Sequence, residues 1–202
     1  MPPRFLARQL SCPTGIFGRI VGLLMNRHNA RMNAFAVQQL RLAPSDRLLE
    51  VGFGGGINLP SLIAGAGFVC GVDLSRDVVQ QAKARFSESI AARRADFLEG
   101  SVEALPFETG SFDKVCTVNS VYFWKSLHSG FAEINRVLVP GGRVVVGFLP
   151  KEWMDRGNYP SDIFTARAPA EVIASLTEAG FKDVRIERPE PATRWNVMVA
   201  TR

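Results

Sequence analysis

The chain is poor in the residues that build metal and redox sites. Among 202 residues there are three cysteines and two histidines. Cys12, Cys70 and Cys116 stand far apart with no CxxC pair. Two of them fall inside apolar runs, where a free cysteine behaves as a small core residue. His28 and His128 have no cysteine, histidine or acid at ligand spacing, so neither a disulfide framework nor a metal site is expected. No apolar stretch approaches the roughly 18 residues that a membrane span requires, and the N-terminus lacks the apolar region of a secretory signal. A soluble cytoplasmic protein is the expectation. Repeats, low-complexity tracts and long linkers are also missing, which at this length predicts a single domain.

Acids are scarce where the chain begins. Residues 1–47 carry seven arginines against Asp46 alone, a balance of +6 when the whole chain has +5. This asymmetry suits either a solvated helix face or an anionic surface such as phospholipid, and peripheral membrane contact is one expectation. Apolar residues at Ile16, Ile20, Leu23, Leu24, Met32, Phe35, Ala36 and Leu40 have roughly helical spacing and predict a helical extension over residues 1–46, ahead of a main domain at 47–202. Asn26, Asn29 and Asn33 fall three and four apart on one face. Asparagine competes for helix backbone, so the row invites a role in lining something polar.

From Arg47 onward, short Val- and Leu-rich runs alternate with helical patterns. Strands are predicted at Arg47–Val51, Phe68–Asp73, Ala95–Glu99, Lys114–Asn119 and Arg143–Phe148. Helices are predicted near 57–66, 76–92 and 127–138, the last capped by Gly141 and Gly142 after Pro140. Beyond a polar stretch at 150–161 come a helix near 169–179 and two strands, 184–187 and 195–201. Their short connection cannot hold a crossover helix, so they pair antiparallel. The fold class is α/β: a Rossmann-like seven-stranded sheet of five parallel strands alternating with helices, closed by an antiparallel hairpin.

After the first strand, "LLEVGFGGGINLP" sets Gly52, Gly54 and Gly56 at alternate positions before a helix, a backbone suited to an anionic or strongly polar group. Ile57 stands where a dinucleotide fingerprint needs glycine, and no Gly-Lys-Ser/Thr ending makes a phosphate loop. Asp73 follows Gly52 by 21 residues at the end of the second strand. There a carboxylate can accept from both hydroxyls of a ribose. A ribose site without a pyrophosphate site points to a nucleoside cofactor such as S-adenosylmethionine.

"LLEVGFGGG" resembles the first motif of class I S-adenosylmethionine-dependent methyltransferases, and "CGVDLS" their second-strand acid. "GSVEALPFETGSFDKVCTVNSVYFW" and "INRVLVPGGRVVV" are similar to their third-to-fifth strand regions, and "LTEAGFKDVRIE" extends the likeness. Within that family the chain resembles the small-molecule branch containing the ubiquinone and menaquinone biosynthesis C-methyltransferases. The resemblance implies that Gly52, Gly54 and Gly56 approach the methionine part of S-adenosyl-L-methionine, with Glu50 supporting its amino group. It further implies that Asp73 holds the ribose, Leu74 packs on the adenine, Ser101 and Val102 border its edge, and Asn119 faces the methionine end. Ser101 departs from the branch, which has aspartate at that position. Adenine recognition would then lean on the Val102 amide or on Glu103.

Tyr122, Phe123 and Trp124 follow the fourth strand at the carboxyl edge of the sheet, as an aromatic wall for sulfonium or acceptor. Tyr122 and His28 are the candidate catalytic groups, and Asn29, Asn33, Tyr122 and Trp124 the candidate substrate contacts. The functional expectation is methyl transfer to a small apolar or aromatic metabolite. The alternatives are a phospholipid N-methyltransferase at an anionic membrane, or a non-catalytic cofactor-binding protein. Nucleic-acid acceptors are disfavoured, because Asn119-Ser120-Val121-Tyr122 is not the Asn/Asp-Pro-Pro-Tyr of amino-group methylation and Cys12-Pro13 lies outside the predicted site.

Overall fold

The structure, a computed structural model, describes residues 29–190 and 193–202. His28, Asn26, Cys12 and most of the arginine-rich segment lie outside the described residues. The strands are β1 (Arg47–Val51), β2 (Phe68–Asp73), β3 (Ala95–Glu99), β4 (Phe112–Val118), β5 (Leu138–Phe148), β6 (Lys182–Glu187) and β7 (Asn196–Thr201). Helices are α1 (residues 29–40), α2 (Leu59–Gly65), α3 (Arg76–Arg85), α4 (Ser87–Ala91), α5 (Leu127–Val137), α6 (Lys151–Arg156) and α7 (Pro169–Glu178). All seven strands join one sheet in the order β3-β2-β1-β4-β5-β7-β6. The first five run parallel, and β7 is antiparallel to both β5 and β6. This is the Rossmann-like arrangement expected from the alternating pattern.

Both faces of the sheet are covered, which is why β1 reads as an almost unbroken apolar run. Leu49, Val51, Val72, Val144 and Val146 pack with Phe131 and Ile134 of α5 and Leu176 of α7. Leu48, Val69, Cys116, Val145 and Val199 point the other way, onto Met32, Ala36 and Leu40 of α1, Leu62 of α2 and Val79 of α3. The two-residue alternation of each strand thus separates two cores. Glu50 shares the face of Leu48, and so lies on the side that α1 and α2 cover. Because β1 has β2 on one side and β4 on the other, the connections diverge between β1 and β4, opening a crevice at the carboxyl ends of the strands.

Three local expectations need correction. The predicted helix over 76–92 is two helices, broken at Phe86, whose backbone leaves the helical region (φ −112°, ψ 26°). Its ring packs 5.7 Å from that of Phe97. The helix before Pro140 ends at Val137 without a glycine cap, because Leu138 is extended, fully buried and paired with Phe112 of β4. Gly141, at φ +79°, donates instead to the Arg202 carbonyl, so the glycine pair meets the last residue of the chain. The polar stretch after Pro150 contains α6, anchored by the buried Met154.

Phe97 is fully buried, with the rings of Phe53 and Phe86 5.5 and 5.7 Å away. Phe97→Ala is expected to lower the unfolding free energy by about 3–5 kcal/mol. Urea denaturation checks this as a lowered midpoint at unchanged slope. A midpoint equal to the wild type's would contradict the packing described.

Candidate functional site

A cavity of about 570 Å³ occupies the crevice between β1 and β4 and continues under α1 and α6. One half is built by the loop after β1 and the end of β2. Gly52, Gly54 and Gly56 all have positive φ, at +69°, +50° and +65°. Two of these glycines matter for different reasons. A Cβ on Gly52 would stand 2.7 Å from Ser120 Cβ, so the loop can lie against the end of β4 only with glycine there. A Cβ on Gly54 would meet nothing within 4 Å, because that position faces open space. Gly54, Gly55 and Ile57 line the cavity, whereas Gly56 packs on Leu59 outside it.

Asp73 anchors this loop. One carboxylate oxygen accepts from the Gly54 amide and the other from the Ser75 amide, each at 2.9 Å. Burial raises its pKa, against the lowering effect of the Ser75 and Gly54 amides. The Leu74 amide also acts on this carboxylate, which still keeps lone-pair capacity for a ligand hydroxyl. Beside it, Leu74 is 58% exposed, the one large apolar side chain left open to this degree among the described residues, and it lines the cavity. An apolar platform next to a polar acceptor is what a nucleoside requires.

Glu50 is 3% exposed at the floor of the same half. Its Oε1 accepts from Asn58 Nδ2 at 2.7 Å, while Oε2 is buried without a partner. Burial is the main cause that pushes its pKa up to about 8. The Asn58 hydrogen bond opposes this, and the Asp73 charge adds to it. A buried acceptor that nothing satisfies is costly, and a ligand ammonium would satisfy it.

The other half of the cavity is apolar and aromatic. Phe123, Tyr159 and Phe164 form a cluster in which Phe164 lies 5.0 Å from Phe123 and 5.3 Å from Tyr159. Met32, Leu149 and Met154 complete this wall. Asn29 and Asn33, on α1, line the cavity, although Asn33 spends one amide proton on the Asn29 carbonyl within its own helix. Trp124 is buried, donating from Nε1 to Ser120 Oγ at 3.1 Å and packing edge-on against Phe131. Arg194 and Trp195 reach the cavity from the segment before β7.

Several predicted contacts are arranged differently from the expectation. Ser101 does not line the cavity, and its hydroxyl donates to Glu103. Glu103 in turn accepts the Lys125 and Ser126 amides, which leaves Gly100 and Val102 as the cavity-lining residues of that loop. The Tyr122 hydroxyl donates to Asn119 Oδ1 and accepts from the Leu149 amide, and burial pushes its pKa well up. A group so engaged is a poor base, so the catalytic reading of Tyr122 is replaced by a structural one. Asn58, Ser120, Tyr159 and Phe164 were not singled out from sequence. An asparagine directly after a glycine loop was the only local sign of any of them.

A family profile described as "Methyltransferase domain" matches residues 49–146, from within β1 to within β5. Residues 49–146 are a methyltransferase domain, and the protein is an S-adenosylmethionine-dependent methyltransferase. Over 170 residues it is 29% identical to an uncharacterized methyltransferase, YdaC, of Bacillus subtilis, covering 83% of this chain and 89% of that one. It is 30% identical to the ubiquinone/menaquinone biosynthesis C-methyltransferase UbiE of Geotalea daltonii over 55% of this chain, and spans about half of that relative, 49%. A geranyl diphosphate C-methyltransferase structure from Streptomyces coelicolor, solved with S-adenosyl-L-homocysteine, superposes with a TM-score of 0.75 at 18% identity, over 96% of this chain and 84% of that one. It shares the fold.

The methyltransferase's own residues fit S-adenosylmethionine: an orphaned carboxylate oxygen for an ammonium, a carboxylate with spare lone pairs for a ribose, and room over Gly54. Glu50 also makes stability depend on pH. In the folded, unliganded protein it stays protonated to about pH 8, whereas unfolded it ionises near 4.5. The native state therefore holds the extra proton between these values, and stability falls as pH rises through them, at up to about 1.4 kcal/mol per pH unit. Glu50→Gln should remove that slope, so the variant's melting temperature rises relative to wild type between pH 5 and 8. Parallel pH profiles of the two proteins would contradict this.

Proposed function

We infer that the enzyme methylates a small apolar or aromatic metabolite bound in the aromatic half of the cavity. The observation that carries this reading is the cluster of Phe123, Tyr159 and Phe164, with Met154, directly beside the cofactor half. Such a wall favours a flat apolar body through area burial and ring contacts of about 0.5–1.5 kcal/mol per pair. The quinone-pathway name of the Geotalea relative supports the same class of acceptor.

S-adenosylmethionine supplies, when bound, an electrophilic methyl on a sulfonium, which a nucleophilic acceptor atom takes as the sulfur recovers its electron pair. The chain's task is alignment and dehydration, for which proximity alone contributes roughly 7–11 kcal/mol. Glu50 and the loop of Gly52 and Gly54 hold the amino-acid end, Asp73 the ribose and Leu74 the adenine face. Met32 and Asn33 of α1 roof the cavity, so this helix acts as the lid over the reacting atoms. Among the described residues no histidine lines it.

No helix of the described residues is long and apolar enough to cross a membrane, and the basic N-terminal stretch gives the lipid alternative its only support. The test is incubation with S-adenosylmethionine and a panel of phenols, naphthols and quinols beside phospholipid vesicles and RNA, with S-adenosylhomocysteine release and product mass as readouts. Turnover is expected on ring compounds. Phe164→Ala should raise KM for that acceptor about tenfold with cofactor affinity unchanged, the loss expected for a removed aromatic contact. Turnover confined to vesicles or RNA would overturn the reading.

A further inference from the structure

Tyr122 and Asn119 form a device whose direction is dictated by one backbone group. The Leu149 amide can only donate, and it donates to the Tyr122 hydroxyl oxygen. That hydroxyl has a single proton, which goes to Asn119 at 3.0 Å. The atom receiving it must therefore be the carboxamide oxygen and not the nitrogen. Asn119 sits at φ +59°, a conformation that asparagine tolerates better than other side chains with a Cβ. It lines the cavity. With Oδ1 held by Tyr122, the Nδ2 edge is the one presented there.

We propose that Tyr122 is a positioning residue: it fixes the Asn119 carboxamide so that its N–H pair faces the cavity and donates to an oxygen of a bound ligand. That oxygen belongs either to the carboxylate of the cofactor's amino-acid end or to a hydroxyl, phenolate or carbonyl of the methyl acceptor. The inference rests on the cavity being the methyl-transfer site. It gives Tyr122 a function in which its proton is never lost, in keeping with its burial and its two hydrogen bonds.

Asn119→Asp keeps the Tyr122 contact and the left-handed backbone, but turns the cavity-facing edge from donor to acceptor. Tyr122→Phe keeps Asn119 and releases its orientation. Calorimetric titrations of S-adenosylhomocysteine and of methylthioadenosine, which lacks the amino-acid end, compare both variants with wild type. A further titration adds 4-nitrophenolate to the protein loaded with S-adenosylhomocysteine. If the cofactor carboxylate is the partner, Asn119→Asp weakens S-adenosylhomocysteine about tenfold or more while methylthioadenosine is unchanged, as for a charge-assisted hydrogen bond reversed. If the acceptor is the partner, S-adenosylhomocysteine is unchanged and 4-nitrophenolate weakens instead. In either case Tyr122→Phe gives a smaller loss for the same ligand. Equal affinities in all three proteins, or a parallel loss of S-adenosylhomocysteine and methylthioadenosine, overturn the proposal. Neither result bears on methyl transfer itself, which the acceptor panel tests separately.

Discussion

Asp73 ends β2 with one carboxylate oxygen on the Gly54 amide and the other on the Ser75 amide. That single buried group determines the path of the loop after β1 and the start of α3. The loop must also pass Ser120 at the end of β4, a contact that Gly52 alone permits. The three chain segments at the carboxyl edge of the sheet are thus fixed to one another before any ligand arrives. Preorganisation of this kind lowers the ordering cost of binding. In the proposed function the charge that organises the loop would also be the acceptor offered to the ribose.

The site contains two buried acids in different settings. Asp73 is held by backbone amides and stays close to the loop. Glu50 is held only by Asn58, and its second oxygen has no partner. The same burial that pushes its pKa up makes the unliganded site unfavourable for an anion and receptive to a cation. A fold that leaves one acid unsatisfied at the floor of its cavity has committed stability to binding.

β1, β2 and β3 were legible in the sequence to the residue, because each is a short apolar run closed by glycine or polar residues. The polar half of the cavity was legible in part: Glu50, Gly52, Gly54, Asp73, Leu74, Val102 and Asn119 line it, whereas Gly56 and Ser101 do not. The aromatic half was less so. Tyr159 lies in the polar, proline-containing stretch and Phe164 just beyond it, and Phe164 meets Phe123 only after the chain has passed through β5. The Asn58–Glu50 and Gly52–Ser120 contacts are likewise products of tertiary proximity. Phe86 and Leu138 left their predicted helices because burial against Phe97 and pairing with Phe112 outweighed local propensity.

The central claim is that Asp73 joins fold and cofactor in one group. Titration of S-adenosylhomocysteine into wild-type protein and the Asp73→Asn variant tests it most directly, with circular dichroism verifying that the variant is folded. Loss of charge-assisted hydrogen bonds to a ribose predicts affinity about a hundredfold lower in the variant. Equal affinity in the two folded proteins would contradict the account.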